Sequence, residues 1–462
     1  MTPAPIAPAR SIEASPIERV LELVTGKADV RHVQERWLTL RVANSSLYQP
    51  IHEVRDALSL RVVLEGTRMG VATTSDLSPE GIRTLVSHAE SFARNSPKTV
   101  GLPEFPSDSG PAPVDLPCFE RKSASIEEAK SQDLSRAIDR IAGQRPKHRV
   151  AGVYNEGVIA LFVGNTSGLR RSSRRSAAQA SLLVEDLSSD PPVSGWAEGA
   201  SADPDRIQWD SLAQQALDRV PSSQVRSLDP GTYDVVFGAP AIAELTNMLS
   251  GWGLGSMSVE EGSSFLRTGQ GQELVSPELT IVDDPLHPLG LPESIDYDGT
   301  PTRSRAVFDR GVAQGPAHDI FSAARTGSHT TANGLPPEAP YGQYGPIPRH
   351  VAFAAGSAGP GELVREMRRG VLVTRLHYVR FVHRQRTIVT GMTRDGTYWV
   401  ENGMIQYPVA NLRMTESILG ILRRTELTGR ELLCCADERA FFAPVVPEIL
   451  SRSVAFSSAT LF

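Results

Sequence analysis

The sequence has 462 residues and a formal net charge of -6, with 40% hydrophobic and 22% charged residues. This length permits two or three domains with buried cores. The acidic balance argues against a nucleic-acid partner, because phosphate binding needs concentrated positive charge. No apolar run approaches the roughly 20 residues of a membrane span. Three cysteines are too few for a disulfide framework, so we expect a cytoplasmic protein without a membrane segment.

The amino-terminal part predicts a short leader and a small α/β module. Residues 1–16 are rich in Pro and Ala and predict a disordered leader. Residues 17–96 begin with helical spacing, continue with strand-like alternation, and reach Ser78-Pro79-Glu80, which is typical of a helix start. Residues 97–124 are crowded with Pro, Ser, Gly and Asp, which predicts a linker.

The middle segment, residues 125–228, predicts a second α+β module. A helix is expected over 125–141, followed by a hairpin whose strands flank the glycine-containing loop 164–168. A helix capped by Asp210 would close the module. The arginines between Arg170 and Arg175 are interpreted as a solvated strand edge rather than as a binding patch.

The carboxy-terminal segment, residues 229–462, predicts a large, mostly antiparallel β domain. A strand and a helix open it, and the turn dipeptides Asp395-Gly396 and Asn402-Gly403 separate alternating apolar runs at hairpin spacing. Residues 330–361 form a long loop of the kind that often lines a site. The predicted fold class is therefore α+β, with small amino-terminal α/β modules and a large antiparallel domain.

Motifs for independent catalysis are absent from the sequence. His52-Glu53 has no second histidine at helical spacing, so it does not predict a zinc helix. The run from Asp283 to His287 offers ligand-type residues, but its Asp-Pro and His-Pro steps favour a turned loop with carboxylates capping backbone N–H groups. Neither a serine nucleophile elbow nor a phosphate-binding glycine loop occurs.

Several segments, in order, resemble the TldD/PmbA family from about residue 33 to residue 425. Residues 59–78 are similar to its amino-terminal pattern, and residues 229–236 resemble the opening of its carboxy-terminal domain. Further similar segments lie at residues 276–285, 298–303 and 390–397. The resemblance implies the α+β fold of that family, with a β-rich carboxy-terminal domain.

The resemblance also implies where a metal would stand. In the zinc-bearing TldD branch, a His-Glu-x-x-x-His helix follows the strand that opens the carboxy-terminal domain; here its ligand and base positions fall on Asn247, Met248 and Trp252. The chain therefore resembles a TldE-like or PmbA-like subunit without catalytic residues, metal or cofactor of its own. That branch also uses a carboxy-terminal cysteine, but the apolar surroundings of Cys434 and Cys435 favour buried, inert thiols.

The leading hypothesis is a zinc-free subunit of a heterodimeric TldD/TldE-type metallopeptidase, in which a TldD-like partner carries the zinc. This subunit would shape the cleft for flexible peptides, which a free strand edge can hold, and its long loop would reach the cleft with Asn333, Tyr341 and Tyr344. One alternative is a pair that hydrolyses an amide in a small molecule of a biosynthetic pathway. Another is a nonenzymatic binding protein that forms a homodimer.

Overall fold

The computed structural model describes residues 15–48, 50–108, 111–119, 123–190, 192–337, 345–437 and 440–459. Most of the predicted leader therefore lies outside the described residues. Strands outnumber helices in this part of the chain, and the mixed α+β class is confirmed. The helices are α1 (Ile17–Leu23), α2 (Pro79–Asn95), α3 (Ser123–Gln144), α4 (Trp209–Asp218), α5 (Ala239–Gly253), α6 (Ser256–Glu260), α7 (Leu266–Gly269), α8 (Ile320–Thr326), α9 (Glu362–Arg365) and α10 (Ile418–Arg423).

The amino-terminal half is built on one antiparallel sheet with the order β4-β3-β1-β5-β6-β7 and β2 beside β1. Long β1 pairs with β3 on one side and with β5 on the other, so this single sheet contains strands from both residues 17–96 and residues 125–228. Its strands are β1 (Lys27–Ala43), β2 (Ser46–Leu47), β3 (Ile51–Leu64), β4 (Arg68–Thr74), β5 (His148–Asn165), β6 (Arg170–Asp186) and β7 (Val193–Ser201).

Helices cover this sheet near its two edges. Helix α2 packs on β3 and β4, and the Ser78 side chain accepts a hydrogen bond from the Gly81 N–H, as the cap signal predicts. Helices α3 and α4 cover the other end. The predicted cap at Asp210 is wrong: α4 starts one residue earlier, at buried Trp209, and the Asp210 carboxylate instead lies 3.0 Å from Nη1 of Arg140 on α3.

The carboxy-terminal half contains two further sheets. Strands β8, β13, β14, β16 and β20 pair successively, and because β20 pairs back onto β8 they close a ring. The second sheet has the order β11-β10-β9-β12-β19-β18. The strands are β8 (Gly231–Phe237), β9 (Ile281–Asp283), β10 (Arg305–Asp309), β11 (Val312–Ala313), β12 (Val351–Phe353), β13 (Arg369–His383), β14 (Ile388–Glu401), β15 (Met404–Pro408), β16 (Leu412–Ser417), β17 (Thr425–Thr428), β18 (Leu433–Cys434), β19 (Val445–Val446) and β20 (Ile449–Ala459).

The two predicted turn dipeptides have different outcomes. Asn402-Gly403 connects β14 to β15, with positive φ at both residues, so this hairpin is confirmed. The turn predicted at Asp395-Gly396 is wrong, because both residues lie inside the continuous strand β14. Their positive φ values form a bulge there, and the Thr374 hydroxyl on β13 contacts both carbonyl oxygens, at 3.0 and 2.8 Å.

Buried ion pairs join the amino-terminal sheet to the loops of the carboxy-terminal half. Arg31 and Arg61 each donate from Nη2 to Asp298 Oδ1 at 2.8 Å. Arg175 lies 3.0 Å from Glu293, and Arg171 donates to the Gly299 carbonyl oxygen at 2.9 Å. The solvated-edge interpretation is therefore wrong for Arg171 and Arg175. Strand β6 is not an edge strand, and both side chains lie in this junction.

No helix in the described part of the chain is long and apolar enough to cross a membrane.

Candidate functional site

Helix α5 occupies the place where the sequence predicts the degenerate zinc helix. It follows β8 directly, packs against β13, and buries an apolar face in the main carboxy-terminal core. Met248 is half-buried and packs against that core. Trp252 is half-buried as well, and the guanidinium carbon of Arg384 lies 3.9 Å from its ring centroid. The Met248 and Trp252 side chains therefore take part in packing within the chain.

A cluster of charged side chains surrounds α5 where β7 meets β13 and β14. We define the α5 cluster as Glu198, Glu244, Arg375, His377 and Asp395. All except Asp395 are partly exposed. Asp395 is buried and lies 3.3 Å from Nε of Arg375. The cluster thus combines residues of the amino-terminal sheet, α5 and the strand ring.

The amino-terminal sheet fixes this cluster through two contacts of β7. The Ser194 hydroxyl donates to Asp395 Oδ1 at 2.5 Å. The guanidinium carbon of Arg375 lies 4.1 Å from the ring centroid of Trp196. Since Asp395 accepts from Ser194 and also faces Arg375 and Arg394, one carboxylate is shared by one hydroxyl and two guanidinium groups.

The two glutamates of the cluster retain protons to higher pH than exposed glutamates. Burial raises the pKa of Glu198, and Arg375 opposes this rise. Burial also raises the pKa of Glu244, which Arg380 and Arg375 oppose while Glu198 adds to it. Burial, Arg394 and Arg375 lower the pKa of His377, so its ring is neutral at pH 7.

The two carboxy-terminal cysteines lie beside this cluster. Both are buried, and burial raises the pKa of Cys434 to about 12 and that of Cys435 well above its usual value. Glu198 forms a side-chain hydrogen bond with Cys435. Neither thiol therefore provides a thiolate near neutral pH, which agrees with the interpretation of inert thiols. Across the described ranges, no three His, Cys, Asp or Glu side chains are grouped to hold a metal ion.

The predicted cleft residues of the long loop do not join the α5 cluster in the described structure. Tyr341 and Tyr344 lie outside the described residues. Asn333 is buried, donates from Nδ2 to Asp283 Oδ2 at 2.8 Å, and accepts from the Thr331 hydroxyl at 2.6 Å. Asn333 thus holds its loop against β9, and contact with substrate stays a prediction.

Two other ligand-type groups have structural partners. His52 Nε2 lies 2.7 Å from Glu127 of α3. In the Asp283–His287 run, Asp284 Oδ1 accepts from the Leu286 N–H at 3.2 Å, as the capping interpretation predicts.

The sequence reasoning missed one signal that bears on the α5 cluster. Residues 367–394 contain seven arginines and no acidic residue, although the whole chain is acidic. In the structure this segment is β13, the following turn and the first half of β14. A scan for local charge bias would have found the segment, but only the fold shows that it faces α5.

Comparison with known proteins identifies the family. Residues 230–458 match the PmbA/TldA metallopeptidase C-terminal domain, and residues 28–93 match PmbA/TldA metallopeptidase domain 1. The chain belongs to the PmbA/TldD family. It is 25% identical over 440 residues to Metalloprotease PmbA of Escherichia coli O157:H7, which covers 92% of each chain. It is 23% identical over 428 residues to a Metalloprotease TldD homolog of Buchnera aphidicola, covering 87% of this chain and 84% of that one.

Solved structures share the fold of this PmbA/TldD-family chain. TldE from Thermococcus kodakarensis has a TM-score of 0.82 at 17% identity, covering 97% of this chain and 100% of that one. A protein described as a putative modulator of a DNA gyrase, from Thermotoga maritima, has a TM-score of 0.83 at 20% identity, covering 95% and 99%. At these identities the likeness supports the fold alone.

Proposed function

We propose that this chain is a TldE-like, zinc-free subunit of a TldD/TldE-type zinc metallopeptidase. The observation that carries the proposal is the composition and packing of α5. By the resemblance, the ligand and base positions of the zinc helix of the TldD branch fall on Asn247, Met248 and Trp252 of α5. A thioether is a poor zinc ligand and an indole has no free lone pair, so neither side chain replaces an imidazole or a carboxylate.

The packing of α5 adds to this argument. Met248 contacts the core and Trp252 lies beneath Arg384, so both positions contribute to the structure of the chain. The raised pKa values of the neighbouring cysteine thiols oppose metal binding as well, because a zinc-bound cysteine must lose its proton. We therefore assign the zinc and the hydrolytic step to a TldD-like partner.

The role of this chain in the pair is to shape the substrate cleft for flexible peptides. Strand β8 pairs with β13 only over Gly370–Val373, while β14 continues to pair with β13 up to His383. The second half of β13 thus has one open edge, and an extended peptide can bind to such an edge. Exposed Met404 and Ile405 on edge strand β15 are candidates for an interface of about 2,000 Å² or more with the partner.

The test is co-expression of this chain with a TldD-like subunit from the same host. We expect the two chains to co-purify with one zinc per pair, and the pair to hydrolyse an unfolded peptide. The isolated chain should lack stoichiometric zinc and activity, and the partner alone is the matched control. Parallel assays with small amide substrates distinguish the biosynthetic alternative, and light scattering distinguishes a homodimer.

One zinc per isolated chain, retained through dialysis and lost on substitution of a histidine, would falsify the zinc-free assignment. A monomer that neither binds the partner nor changes its activity would exclude the heterodimer.

A further inference from the structure

Three arginines of β13 and the turn after it face helix α5. We call Arg375, Arg380 and Arg384 the arginine row. A strand normally places residues five apart on opposite faces, but β13 contains an extra residue between His377 and Arg380. Arg375 and Arg380 consequently point to the same side, where both act electrostatically on Glu244 of α5. Arg384 reaches the end of the same helix at Trp252.

Tryptophan rings support both ends of the row. The guanidinium carbon of Arg375 is 4.1 Å from the ring centroid of Trp196, and that of Arg384 is 3.9 Å from the ring centroid of Trp252. Stacking on an aromatic ring holds a guanidinium group while leaving its N–H edges free to donate. Trp252 therefore positions a cation at the place where the TldD branch has a zinc ligand.

The positive charge of this region is only partly balanced within the chain. Arg380 and Arg384 are exposed and make no ion pair with the residues that the structure describes. Arg375 shares Asp395 with Arg394. Without the seven arginines of residues 367–394, the rest of the chain has 40 basic against 53 acidic residues. The row is thus a local cationic strip on an acidic protein.

We propose that the arginine row binds the carboxylate groups of an acidic, extended peptide. This inference rests on the proposed function and names its substrate class: flexible segments rich in Asp and Glu. An arginine can hold a carboxylate through two parallel hydrogen bonds, which gives stronger recognition than a single neutral contact. Asp395, Glu244 and Glu198 are the acidic groups facing the row, and burial raises the pKa of both glutamates, which favours their uncharged form relative to exposed glutamates.

The linear shape of the row favours an extended chain over a folded surface. Arg384 follows Arg375 by nine positions, and because two extra residues of β13 form bulges, this corresponds to about 20 to 25 Å along the strand. The row lies along the half of β13 whose second edge is open. An extended peptide on that side would meet successive guanidinium groups with successive carboxylates. Side-chain contacts are expected to dominate, because the bulges in β13 interrupt regular backbone pairing.

Fluorescence anisotropy on the purified full-length chain tests this proposal. The probe is a labelled, disordered peptide with alternating Glu and Gly, compared with the same peptide carrying Gln in place of Glu. We expect the acidic peptide to bind more tightly, and its affinity to fall with salt. Arg380→Gln and Arg384→Gln should each raise its Kd on the order of three- to tenfold. Acidic peptides with a free or an amidated carboxy terminus show whether binding depends on the side-chain carboxylates or on the terminal carboxylate.

Matched variants separate recognition from loss of structure. Arg83→Gln removes the same charge from exposed α2, which packs at the opposite edge of the amino-terminal sheet, and should leave the Kd unchanged. Trp252→Leu removes the ring on which Arg384 stacks and should weaken peptide binding as Arg384→Gln does. Trp252→Phe keeps an aromatic ring and should bind the peptide as the unchanged chain does. Circular dichroism and thermal unfolding confirm that each variant is folded.

Equal binding of the acidic and neutral peptides, or equal effects of Arg384→Gln and Arg83→Gln, would overturn the proposal. The proposal would also be overturned if the arginine variants no longer bound the partner subunit but bound the acidic peptide with unchanged Kd, because the row would then be a subunit interface. The binding assay needs only the isolated chain. If the chain binds the acidic peptide but does not bind or activate a TldD-like partner, the result therefore counts against the proposed function alone.

Discussion

The substitution Asp298→Asn probes the buried junction between the two halves of the chain. Asp298 Oδ1 accepts hydrogen bonds from Nη2 of Arg31 and from Nη2 of Arg61, both at 2.8 Å. Asp29 is the other carboxylate of this network, and every side chain in it is at most 7% exposed. Asparagine has nearly the same shape but no charge, so two buried guanidinium groups would lose one of the two carboxylates to which they donate hydrogen bonds.

The expected cost follows from the loss of one partner in a buried ion network. Breaking such a network leaves an uncompensated buried charge and typically costs about 3 to 5 kcal/mol. The amide oxygen of the introduced asparagine can still accept a hydrogen bond, which places the estimate near the lower bound. We expect Asp298→Asn to reduce the free energy of unfolding by about 3 kcal/mol.

Urea unfolding followed by tryptophan fluorescence measures this change, and limited proteolysis reports whether the junction opens first. The control is Asp309→Asn: its carboxylate is 58% exposed and lies 3.9 Å from Arg310, so its removal should cost less than about 0.5 kcal/mol. A loss below about 1 kcal/mol for Asp298→Asn, or equal losses in both variants, would refute the assignment of this network as a stabilising junction.

Three further predictions concern packing, pH and thiol reactivity. Gly70→Ala should cost about 2 kcal/mol or more in chemical unfolding, because its Cβ would lie 2.2 Å from the Ala89 oxygen of α2; Gly66→Ala, with φ +67° and open space, should cost about 1 kcal/mol. Burial would raise the pKa of Glu293, but Arg349, Arg175 and His350 together lower it far below its usual range. The stabilisation of the folded state by ionised Glu293 is therefore complete above about pH 4.5 and is lost as the pH falls further. Glu293→Gln should consequently flatten the decrease of Tm between about pH 5 and 3. Cys434 should resist iodoacetamide at pH 7.5 in the native state and react in urea, as mass spectrometry would show; equal rates would contradict its raised pKa of about 12.

Local signals in the sequence predicted local structure well. The cap at Ser78 and the turn at Asn402-Gly403 depend on residues a few positions apart, and both are confirmed. The Asp395-Gly396 dipeptide does have positive φ at both residues, as its composition predicts, but it does not form the predicted turn. The Thr374 hydroxyl, 21 residues away in the chain, helps to hold this pair as a bulge inside β14. A dipeptide pattern cannot report such a contact.

The candidate site was harder to predict, because its residues come from distant parts of the chain. The resemblance predicted a helix after β8, where α5 lies, while the degenerate zinc-helix positions on it stay a prediction. It did not indicate that Trp196 of β7 would stack with Arg375, or that Arg171 and Arg175 would enter the junction. These contacts depend on how the amino-terminal sheet docks against the ring, and sequence periodicity contains no information on that docking.

The closed strand ring sets an order of events during synthesis. Strand β8 pairs with Gly370–Val373 of β13 on one side and with β20 on the other, so residues 374–448 must still be made after the first pairing segment before the ring can close. At typical translation rates of about 5 to 20 residues per second, this takes about 4 to 15 s. During that interval β8 presents an unpaired edge that includes Val235 and Phe237, the kind of edge that seeds aggregation. Nascent chains halted before residue 449 should therefore be the species that recruits chaperones.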